Sequence, residues 1–469
     1  MANTDYDLII LGGGAAAFSS ALKASEIDAR VAMIEHGVIG GTCVNVGCVP
    51  SKNLLSIGEL IHDCSDQKFD GDRCSTVDLK FDFQTTIQEK DKLILQLRTQ
   101  KYVNVIESMS NTDFIQGHAK FKSRNEIVVN DKILRGKNII IATGSSPAVP
   151  QLRGITEVDY LTNVEALSLQ EKPDSMIIIG GRALGLEFAQ MYSRFGTKVT
   201  LLQRSDRIIP EEEPEISEML HSYLKEEGIE IHTGVKLESV SKNGRYKISS
   251  TIKGKPVTFE ADQLLMATGR RPNTEKLMLE NAGITTLDSG AVKVDNEMRT
   301  NIPNIFAVGD VIGEPMLETV AAKEGSIAAS NALFGMHKKI DFNAVPHAIF
   351  TSPQVASVGI TEKKARERYG VCSCKTLLMS DVPKAVIVNK TKGVIKMVVE
   401  PKTQRILGVH ILSDLAADII HEAVLAVKHQ LTVDDIIDTV HVFPTMSESI
   451  KLVATSFKKD LKRLSCCAE

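Results

Sequence analysis

Short apolar runs that end in glycine turns mark out the first part of the chain. Residues 7–11 form an apolar run that ends at Gly12, and a helical segment and a second apolar run, which ends at Glu35, follow. This order of strand, glycine turn, helix, strand and acid is typical of a dinucleotide-binding unit. Gly12 allows the tight turn, Gly14 lets the backbone approach a pyrophosphate, and Ala17 permits close packing of the helix. Glu35 is placed to bind ribose hydroxyls, so the pattern predicts a nucleotide site.

The same pattern returns in residues 176–202 in a degenerate form. Its turn keeps Gly180 and Gly185, but Arg182 stands where the second glycine of the motif is expected. A side chain at that position requires the pyrophosphate to sit differently or the helix to pack less closely. The repeat predicts a second nucleotide-binding domain.

Both units close in the same way, with an apolar strand followed by Ala-Thr-Gly at 142–144 and at 267–269. Alternating apolar and polar residues with turn signals precede each closing strand, as in a small antiparallel meander. A later apolar strand ends at Asp310, whose carboxylate can hold a ribose or ribitol hydroxyl, and a helix at 318–333 would begin near that cofactor. The chain is therefore predicted to contain two nested nucleotide-binding domains.

Arg204 and Arg207 follow the second strand of the repeated unit, where the first unit has an acid. An acid binds the 2′-hydroxyl of NAD, whereas an arginine accommodates the 2′-phosphate of NADP. The pattern therefore favours NADPH over NADH. The alternative is an ordinary solvated loop in which the two arginines bind no nucleotide.

Composition limits the kinds of partner. The chain has 469 residues, of which 43% are hydrophobic and 24% charged, and its formal net charge is -4. These values are typical of a globular protein and give no sign of a nucleic-acid or membrane surface. The first residues lack the features of a signal peptide, and no apolar run reaches the ~18 residues of a membrane span. Eight cysteines make a poor disulfide framework in so long a chain, which favours redox or metal chemistry in the cytoplasm.

The segment at 40–52 is the main candidate for chemistry. It separates Cys43 from Cys48 by four residues, and Pro50 suits the first turn of a helix. A thiol at the positive end of a helix is favoured as the thiolate, the form that attacks and that binds soft metals. The spacing predicts a pair that opens and closes a disulfide reversibly. The alternatives are a structural staple or two idle thiols.

The part of the chain after residue 340 has no nucleotide motif. Its strands are predicted at 355–359, 394–399 and 406–409. With an amphipathic helix at 416–427, they predict a domain that makes a dimer. Cys372 and Cys374 alternate in a strand-like run, which would point both thiols to one face. No histidine or third cysteine is close by in the sequence, so ordinary thiols are favoured over a metal site.

These motifs resemble those of the pyridine nucleotide-disulfide oxidoreductases along the whole chain. The resemblance implies an α/β fold with two nested Rossmann-like nucleotide-binding domains, for FAD and NADPH, and a C-terminal α+β dimerisation domain. The implied boundaries are 1–149 and 276–340 for the two parts of the FAD domain, 150–275 for the NADPH domain, and 341–469 for the dimerisation domain with its C-terminal tail.

The resemblance also implies roles for single residues. Cys43 would be the outer, attacking sulfur and Cys48 the sulfur in contact with the flavin, while Lys52 would pair with Glu187 beside the flavin and the nicotinamide. A salt bridge alone is the alternative role of that pair. The other implied cofactor-binding residues are Gly37, Thr42, Ala119, Thr143, Gly144, Gly269, Asp310 and Glu318.

One position separates this chain from the dithiol and glutathione reductases of the family. Those enzymes have His-Pro-Thr near the C-terminus and a Glu five residues after the His, whereas this chain has Phe443 in the position of the His, with Glu448 following. A dithiol or glutathione cycle needs a group that protonates and deprotonates departing sulfurs, which a phenyl ring cannot do. His441 could take that role only after a backbone rearrangement.

Cys466 and Cys467 are adjacent near the end of the chain. Adjacent thiolates can capture a soft cation such as Hg(II) and pass it on by ligand exchange, which needs no histidine base. Together with Phe443, this pair resembles the mercuric reductases. The resemblance implies a homodimer with active sites shared between subunits. One subunit's terminal pair would receive Hg(II) as a thiol complex and pass it to Cys43 and Cys48 of the other for NADPH-dependent reduction to Hg(0).

Two other functions remain open at this stage. One is an FAD- and NADPH-dependent disulfide reductase that uses the terminal cysteines as a dithiol relay. The other is a non-catalytic flavoprotein that sequesters metal on Cys466 and Cys467. The first predicts NADPH oxidation driven by a disulfide without metal, and the second predicts metal-dependent loss of free thiols without turnover.

Overall fold

The computed structural model describes residues 5–65, 69 and 81–463 of the chain. Cys466 and Cys467 lie outside the described residues, so the expectations for the terminal pair stay predictions. The described part is a mixed α/β structure with two largely parallel sheets and one antiparallel sheet as its main layers, which confirms the predicted fold class. Within these ranges, no helix combines the length and the apolar character that crossing a membrane requires.

The first nucleotide-binding unit begins the described chain. Its strands are β1 (Tyr6–Leu11), β2 (Val31–Glu35), β3 (Thr112–Gln116), β4 (Lys120–Phe121), β5 (Glu126–Val129) and β6 (Lys132–Ile141). Its helices are α1 (Ala15–Ser25), α2 (Gly41–Val46), α3 (Cys48–Ser65), α4 (Phe83–Arg98) and α5 (Asn104–Ser108), with a π-helical turn at Thr99–Val103.

The second unit follows. Its strands are β7 (Ser145–Pro147), β8 (Ser175–Ile179), β9 (Lys198–Leu202), β10 (Glu230–His232), β11 (Val235–Asn243), β12 (Arg245–Ile252), β13 (Lys255–Ala261), β14 (Gln263–Met266) and β15 (Arg270–Pro272). Its helices are α6 (Asn163–Ala166), α7 (Ala183–Arg194) and α8 (Pro214–Glu226).

The chain then returns to the first unit and ends in a C-terminal domain. The returning elements are β16 (Ile305–Ala307) and α9 (Glu318–Phe334). The C-terminal strands are β17 (His347–Ile349), β18 (Gln354–Gly359), β19 (Ser373–Leu378), β20 (Val394–Val399) and β21 (Ile406–Ser413). The C-terminal helices are α10 (Glu362–Tyr369), α11 (Pro383–Ile387), α12 (Ala416–Lys428), α13 (Val433–Asp438) and α14 (Glu448–Thr455).

The first sheet has the strand order β3-β2-β1-β6-β5-β4, and β16 pairs with the last part of β6. Strands β1, β2, β3 and β16 run parallel to their neighbours, and residues 8–11 are completely buried. Strands covered on both faces read as continuous apolar runs, which is why the sequence pattern predicted them. Gly12, Glu35, Thr143 and Asp310 all lie at the carboxyl ends of these strands, the edge where nucleotides bind in such sheets.

The second unit repeats this arrangement with the parallel order β10-β9-β8-β14. Strands β11, β12 and β13 form the antiparallel meander that the alternating pattern predicted. Its two turns contain Gly244 and Gly254, both with a positive φ that suits glycine.

The C-terminal sheet is antiparallel, with the order β17-β18-β21-β20-β19. The three predicted strands and the predicted helix, α12, are confirmed, and β21 extends to Ser413. Cys372 precedes β19 and Cys374 is its second residue, so the pair lies at the start of a strand at the sheet's edge.

One apolar cluster joins three parts of the molecule. Leu54 of α3, Leu186 of α7 and Val355 of β18 are all buried in it. Phe83 and Ile87 of α4 belong to the same cluster. The helix that begins with Cys48 is therefore held against the second nucleotide-binding unit and the C-terminal sheet.

Candidate active site

The two cysteines of the central segment lie at the junction of two short helices. Cys43 is on α2 and Cys48 is the first residue of α3, with Gly47 between the helices. A Cβ atom at Gly47 would lie 2.9 Å from the backbone oxygen of Thr42 and 3.2 Å from Cα of Cys43, so the close junction requires glycine. The two Sγ atoms and a carboxylate oxygen of Glu318, the first residue of α9, all lie within 4.8 Å of one another.

The protonation of Cys48 differs from the expectation. Cys48 is exposed as a residue, but the protein atoms around its sulfur still desolvate it, which raises the pKa of the Cys48 thiol. The positive charge of Lys52 lowers the pKa, and the negative charge of Glu187 raises it. This direction is opposite to the prediction that the helix end favours the thiolate, because desolvation outweighs the charge of Lys52.

Lys52 and Glu187 form the predicted ion pair. The Lys52 Nζ atom lies 2.6 Å from Glu187 Oε2, and the other Glu187 oxygen accepts a 2.9 Å hydrogen bond from the backbone N–H of Phe350. Lys52 Nζ also lies 4.7 Å from the centre of the Phe350 ring. Glu187 is buried, so its charge needs these partners. The pair joins α3, α7 and the C-terminal domain beside Cys48.

A cavity lies at the carboxyl edge of the first sheet. Its lining includes the predicted residues Gly12, Glu35, Ala119 and Thr143. Glu35 Oε1 accepts a 2.5 Å hydrogen bond from the N–H of Gly37, which holds the carboxylate at the end of β2. The structure therefore brings together these five residues, which come from four separate stretches of the sequence.

The glycine turn of the first unit meets the cysteine segment directly. A Cβ atom at Gly41 would lie 2.7 Å from Cα of Gly14, so side chains on both would close this space. Ala17 is fully buried on α1, as close helix packing requires. Thr42 follows Gly41 and is exposed, immediately before Cys43. A backbone cradle of this kind, with N–H groups at helix starts, suits a pyrophosphate.

Asp310 lies between the two nucleotide units. Its Oδ2 accepts a 2.5 Å hydrogen bond from the Ser145 hydroxyl and lies 3.7 Å from Nε of Arg270. Gly144 precedes this serine with a positive φ, and the Thr143 hydroxyl donates to the backbone oxygen of Asn273. The predicted FAD residues Thr143 and Gly144 are therefore brought next to Asp310 through Ser145.

The two glycine turns have the same local geometry. A Cβ atom at Gly12 would lie 2.1 Å from the backbone oxygen of Ala142, and one at Gly180 would lie 2.1 Å from that of Ala267. Gly269 follows Ala267 with a positive φ. A Cβ atom at Gly185 would lie 1.8 Å from the oxygen of Gly180. Each Ala-Thr-Gly segment therefore closes onto the first glycine of its own unit.

The two predicted NADPH arginines have different environments. Arg207 donates from Nη2 to the backbone oxygens of Pro210, at 2.6 Å, and Glu212, at 2.9 Å. Arg204 is exposed and follows Gln203, whose Oε1 accepts a hydrogen bond from Gly181 in the glycine turn. Arg204 is thus better placed than Arg207 to reach a 2′-phosphate.

The position of the family's histidine base is occupied by a half-exposed phenyl ring, Phe443. His441 Nε2 lies 2.8 Å from Glu422 Oε1, and its Nδ1 lies 2.9 Å from the backbone oxygen of Thr439. Glu448 is buried, its Oε2 has no hydrogen-bond partner, and burial raises its pKa. His441 is therefore held by Glu422. Glu448, the acid that would orient a base at position 443, has one oxygen without a hydrogen-bond partner.

Two residues near the cysteines were missed or assigned differently from the sequence. Tyr102 lies in the π-helical turn at Thr99–Val103, and burial and the charge of Cys48 raise the pKa of its hydroxyl. A π-helical turn often marks a functional site, but one tyrosine in a helical stretch gives no sequence signal. Glu318 was predicted only as an FAD contact, and its proximity to both sulfurs depends on the packing of α9.

Two nucleotide-binding units with a cysteine pair at their junction define an oxidoreductase that uses two nucleotide cofactors. The family model of the pyridine nucleotide-disulphide oxidoreductases matches residues 6–325, and the model of their dimerisation domain matches residues 345–454. This chain therefore belongs to the pyridine nucleotide-disulphide oxidoreductases. It is an enzyme that uses FAD and NADPH, and the dimerisation domain supports a homodimer.

Several relatives are similar over nearly the whole chain. The mercuric reductases of Lysinibacillus sphaericus and Staphylococcus aureus are each 44% identical over 465 residues, which cover 99% of this chain and 85% and 84% of those proteins. The mercuric reductase of Streptomyces lividans is 40% identical and is covered to 99%. The Cu(II) complex of the HOCl-induced flavoprotein disulfide reductase RclA from Escherichia coli is 30% identical, with a TM-score of 0.87 and coverage of 97% and 100%.

The residues of the first unit fit FAD. The Gly14–Gly41 cradle admits a pyrophosphate that a Cβ atom would displace, and Glu35 provides the ribose acceptor at the cavity. Asp310 provides a second carboxylate acceptor for a cofactor hydroxyl, and it now accepts a hydrogen bond from the Ser145 hydroxyl. The groups at this edge of the sheet therefore fit a dinucleotide such as FAD.

Proposed function

We propose that this enzyme is a mercuric reductase, which oxidises NADPH and reduces Hg(II) to Hg(0). The observation that carries the proposal is the cluster of Cys43, Cys48 and Glu318, whose ligand atoms lie within 4.8 Å of one another at the junction of the nucleotide units. Thiolates are the preferred ligands of soft cations. The names of the relatives from three bacteria agree with this substrate.

The cysteines act as ligands that exchange. Hg(II) arrives bound to two small thiols, and Cys43 and Cys48 each form a sulfur–mercury bond while one small thiol leaves with the proton of that cysteine. When bound, FAD carries two electrons from NADPH to this site. The ion then leaves as Hg(0), and both sulfur–mercury bonds break to regenerate the cysteine sulfurs.

The neighbouring charges position the pair. Lys52 lies one turn after Cys48 on α3, and its charge stabilises the sulfur in its thiolate form against the desolvation that raises the thiol pKa. Glu187 and the ring of Phe350 hold the Lys52 ammonium in place. Glu318 adds an oxygen ligand and a negative charge beside the incoming cation. The attraction between the two charges is stronger where protein atoms partly exclude water than it is in bulk water.

The absence of an imidazole at 443 is compatible with this reaction. Ligand exchange passes a proton from a cysteine to the small thiol that leaves, so it needs no separate base. Reduction of a disulfide, in contrast, releases a thiolate that an acid must protonate. Phe443 cannot do this, and His441 already contacts Glu422. These contacts favour a metal substrate over a disulfide.

We also propose that Cys466 and Cys467 deliver Hg(II) to the cysteine pair of the other subunit of a homodimer. The match to the dimerisation domain and the names of the relatives support this arrangement. A second pair of thiols would take the ion from bulky thiol complexes and pass it on by ligand exchange.

A flavoprotein disulfide reductase is the second candidate, because RclA has that title and a TM-score of 0.87 with this chain. One assay separates the candidates. NADPH oxidation by the FAD-loaded enzyme is followed with Hg(II) in excess small thiol, and in parallel with an oxidised dithiol and no metal. We expect turnover only with Hg(II). Turnover with the disulfide alone would favour a reductase of the RclA kind, and Hg(II) uptake without NADPH oxidation would indicate sequestration.

The relay is tested with Cys466→Ala/Cys467→Ala in the same assay. We expect a slower reaction with bulky Hg(II)–thiol complexes and a smaller change with compact ones. An unchanged rate with bulky complexes would contradict the relay.

Arg204→Ala serves as a test of the nucleotide assignment, because it should raise the KM for NADPH but not for NADH.

A further inference from the structure

A second cluster of soft ligands lies outside the active site, in the C-terminal domain. The Sγ atoms of Cys372 and Cys374 are 3.4 Å apart, and both are free thiols. A carboxylate oxygen of Glu362, the first residue of α10, lies within 4.8 Å of both sulfurs. All three residues are half-buried, so the cluster is shielded but reachable.

The fold produces this cluster from a short stretch of chain. Helix α10 ends at Tyr369, and the chain turns at Gly370 to enter β19. This turn brings Cys372, just before β19, back to Glu362 at the start of α10. Cys372 Sγ also lies 3.9 Å from the backbone oxygen of Glu362. The sequence alone favoured ordinary thiols because it offered no third ligand, and the structure supplies one.

The two sulfurs lie close enough to bind one ion, and in the empty pair either thiol can donate a hydrogen bond to the other. With metal–sulfur bonds of about 2.3 Å, a tetrahedral ion holds two sulfurs about 3.8 Å apart, whereas a linear complex separates them by about 4.6 Å. The observed 3.4 Å between Cys372 and Cys374 is closer to the tetrahedral value. Thiolate and carboxylate ligands together suit Zn(II) and ions of similar preference such as Cd(II).

Two cations balance the charge of this cluster. Lys396 Nζ lies 2.8 Å from Glu362 Oε2, and Arg366 Nη2 lies 2.5 Å from Glu362 Oε1. Lys396 is itself buried between Glu362 and two acids of the second unit, Glu213 and Glu215. A carboxylate has about four lone-pair directions, so Glu362 can keep these contacts and still bind an ion. The cations also compensate for the charge of two thiolates.

We propose that Cys372, Cys374 and Glu362 form a binding site for a tetrahedral, thiophilic divalent cation of the Zn(II) and Cd(II) type, with water as the fourth ligand. Binding forms two metal–sulfur bonds and one metal–oxygen bond and releases the two thiol protons, so no oxidant or reductant is needed.

The test is a Cd(II) titration of the FAD-loaded enzyme without NADPH. The ultraviolet charge-transfer band of Cd(II)–thiolate bonds reports binding, and the metal retained after gel filtration is counted per chain. We expect Cys372→Ser/Cys374→Ser to bind one Cd(II) fewer than the wild type. Cys64→Ser, which changes another half-buried free cysteine, should keep the wild-type count. Zn(II) should compete with Cd(II) for the same site.

Glu362→Gln removes the charge but keeps the shape, and we expect Cd(II) affinity at this site to fall by at least about tenfold. An unchanged Cd(II) count in the double variant would overturn the site. Unchanged affinity in Glu362→Gln would overturn the role of the carboxylate. If the double variant does not fold, Cys372→Ser alone gives the same comparison, because this residue precedes β19. Hg(II)-dependent NADPH oxidation should be normal in all of these variants, so the result does not depend on the proposed reductase activity.

Discussion

Two clusters in this protein have the same composition, two cysteine thiols and one glutamate carboxylate within 4.8 Å. We call them the inner cluster (Cys43, Cys48 and Glu318) and the outer cluster (Cys372, Cys374 and Glu362). The inner cluster lies at the junction of two nucleotide-binding units. The outer cluster lies where the start of α10 meets the start of β19, a strand on the edge of an antiparallel sheet. Their ligand sets are alike, but their surroundings differ.

The surroundings determine what each cluster can do. The inner pair has Lys52, Asp310 and Arg270 close enough to interact with it electrostatically, and it belongs to the unit whose cavity is lined by the predicted nucleotide-binding residues. The outer pair has Lys396 and Arg366, which neutralise Glu362, and it belongs to a domain without a nucleotide motif. Both clusters have the ligand set for a soft ion, but only the inner cluster belongs to the part of the described chain that carries the nucleotide motifs, so we expect only the inner cluster to couple ion binding to electron transfer.

The largest expected effect separates the clusters by turnover. Cys43→Ser or Cys48→Ser should lower Hg(II)-dependent NADPH oxidation by at least about 1,000-fold, because removal of one reacting sulfur disables the pair as a unit. Cys372→Ser/Cys374→Ser is the matched control and should leave the rate within about twofold, since surface changes remote from a site have small effects. Comparable losses in both sets would mean that the outer pair also takes part in the reaction.

A smaller effect is expected from the two glutamates. Glu318→Gln should lower kcat/KM for the Hg(II)–thiol complex by about tenfold, or ~1.4 kcal/mol, mainly through a higher KM. The physical reason is the loss of a negative charge and a good oxygen donor beside the inner sulfurs. Glu362→Gln, the same change in the outer cluster, should leave both kinetic constants unchanged. Steady-state kinetics with Hg(II) varied in excess thiol measures this, and equal effects of the two changes would contradict the assignment of Glu318.

Much of the fold could be predicted because its strands are buried on both faces. The run at 7–11 and the turn at Gly12 have strong local signals, since a buried parallel strand is uniformly apolar and the turn needs a positive φ. The pairing of Lys52 with Glu187 could be predicted only through the resemblance, because these residues are distant in the sequence. Its 2.6 Å contact bears out the pairing.

Other features of the site depend on tertiary packing and have no local signal. Glu318 comes close to Cys48 only because α9 packs beside the first sheet, and Tyr102 does so through a π-helical turn. The direction of the pKa shift of Cys48 differs from the prediction because desolvation comes from surrounding atoms that are distant in the sequence, whereas the helix end can be predicted from the sequence. Arg207 and Arg204 are equivalent in the sequence pattern, but in the structure Arg207 donates hydrogen bonds to backbone oxygens.

The smallest expected effect concerns a third carboxyl group, Glu324, which lies on the same helix as Glu318 but contacts no sulfur in either cluster. Glu324 is 2% exposed, accepts a 2.7 Å hydrogen bond from the N–H of Gly309, and has its pKa raised to about 7 by burial. The folded protein keeps this group neutral up to that pH, whereas the unfolded chain ionises it near the ordinary value of 4.5. The stability that it contributes is therefore complete below the unfolded pKa and is lost as pH rises toward about 7.

Glu324→Gln keeps an acceptor for Gly309 but removes this titration. The variant should be more stable than the wild type at about pH 8, by at most about 3 kcal/mol, and the difference should shrink toward about pH 5. Thermal unfolding of both FAD-loaded proteins at the two pH values measures it. A constant difference in melting temperature would show that Glu324 does not titrate in this range. Because α9 carries both glutamates, normal Hg(II) turnover in Glu324→Gln would also show that the effect of Glu318→Gln comes from the inner cluster and not from the helix.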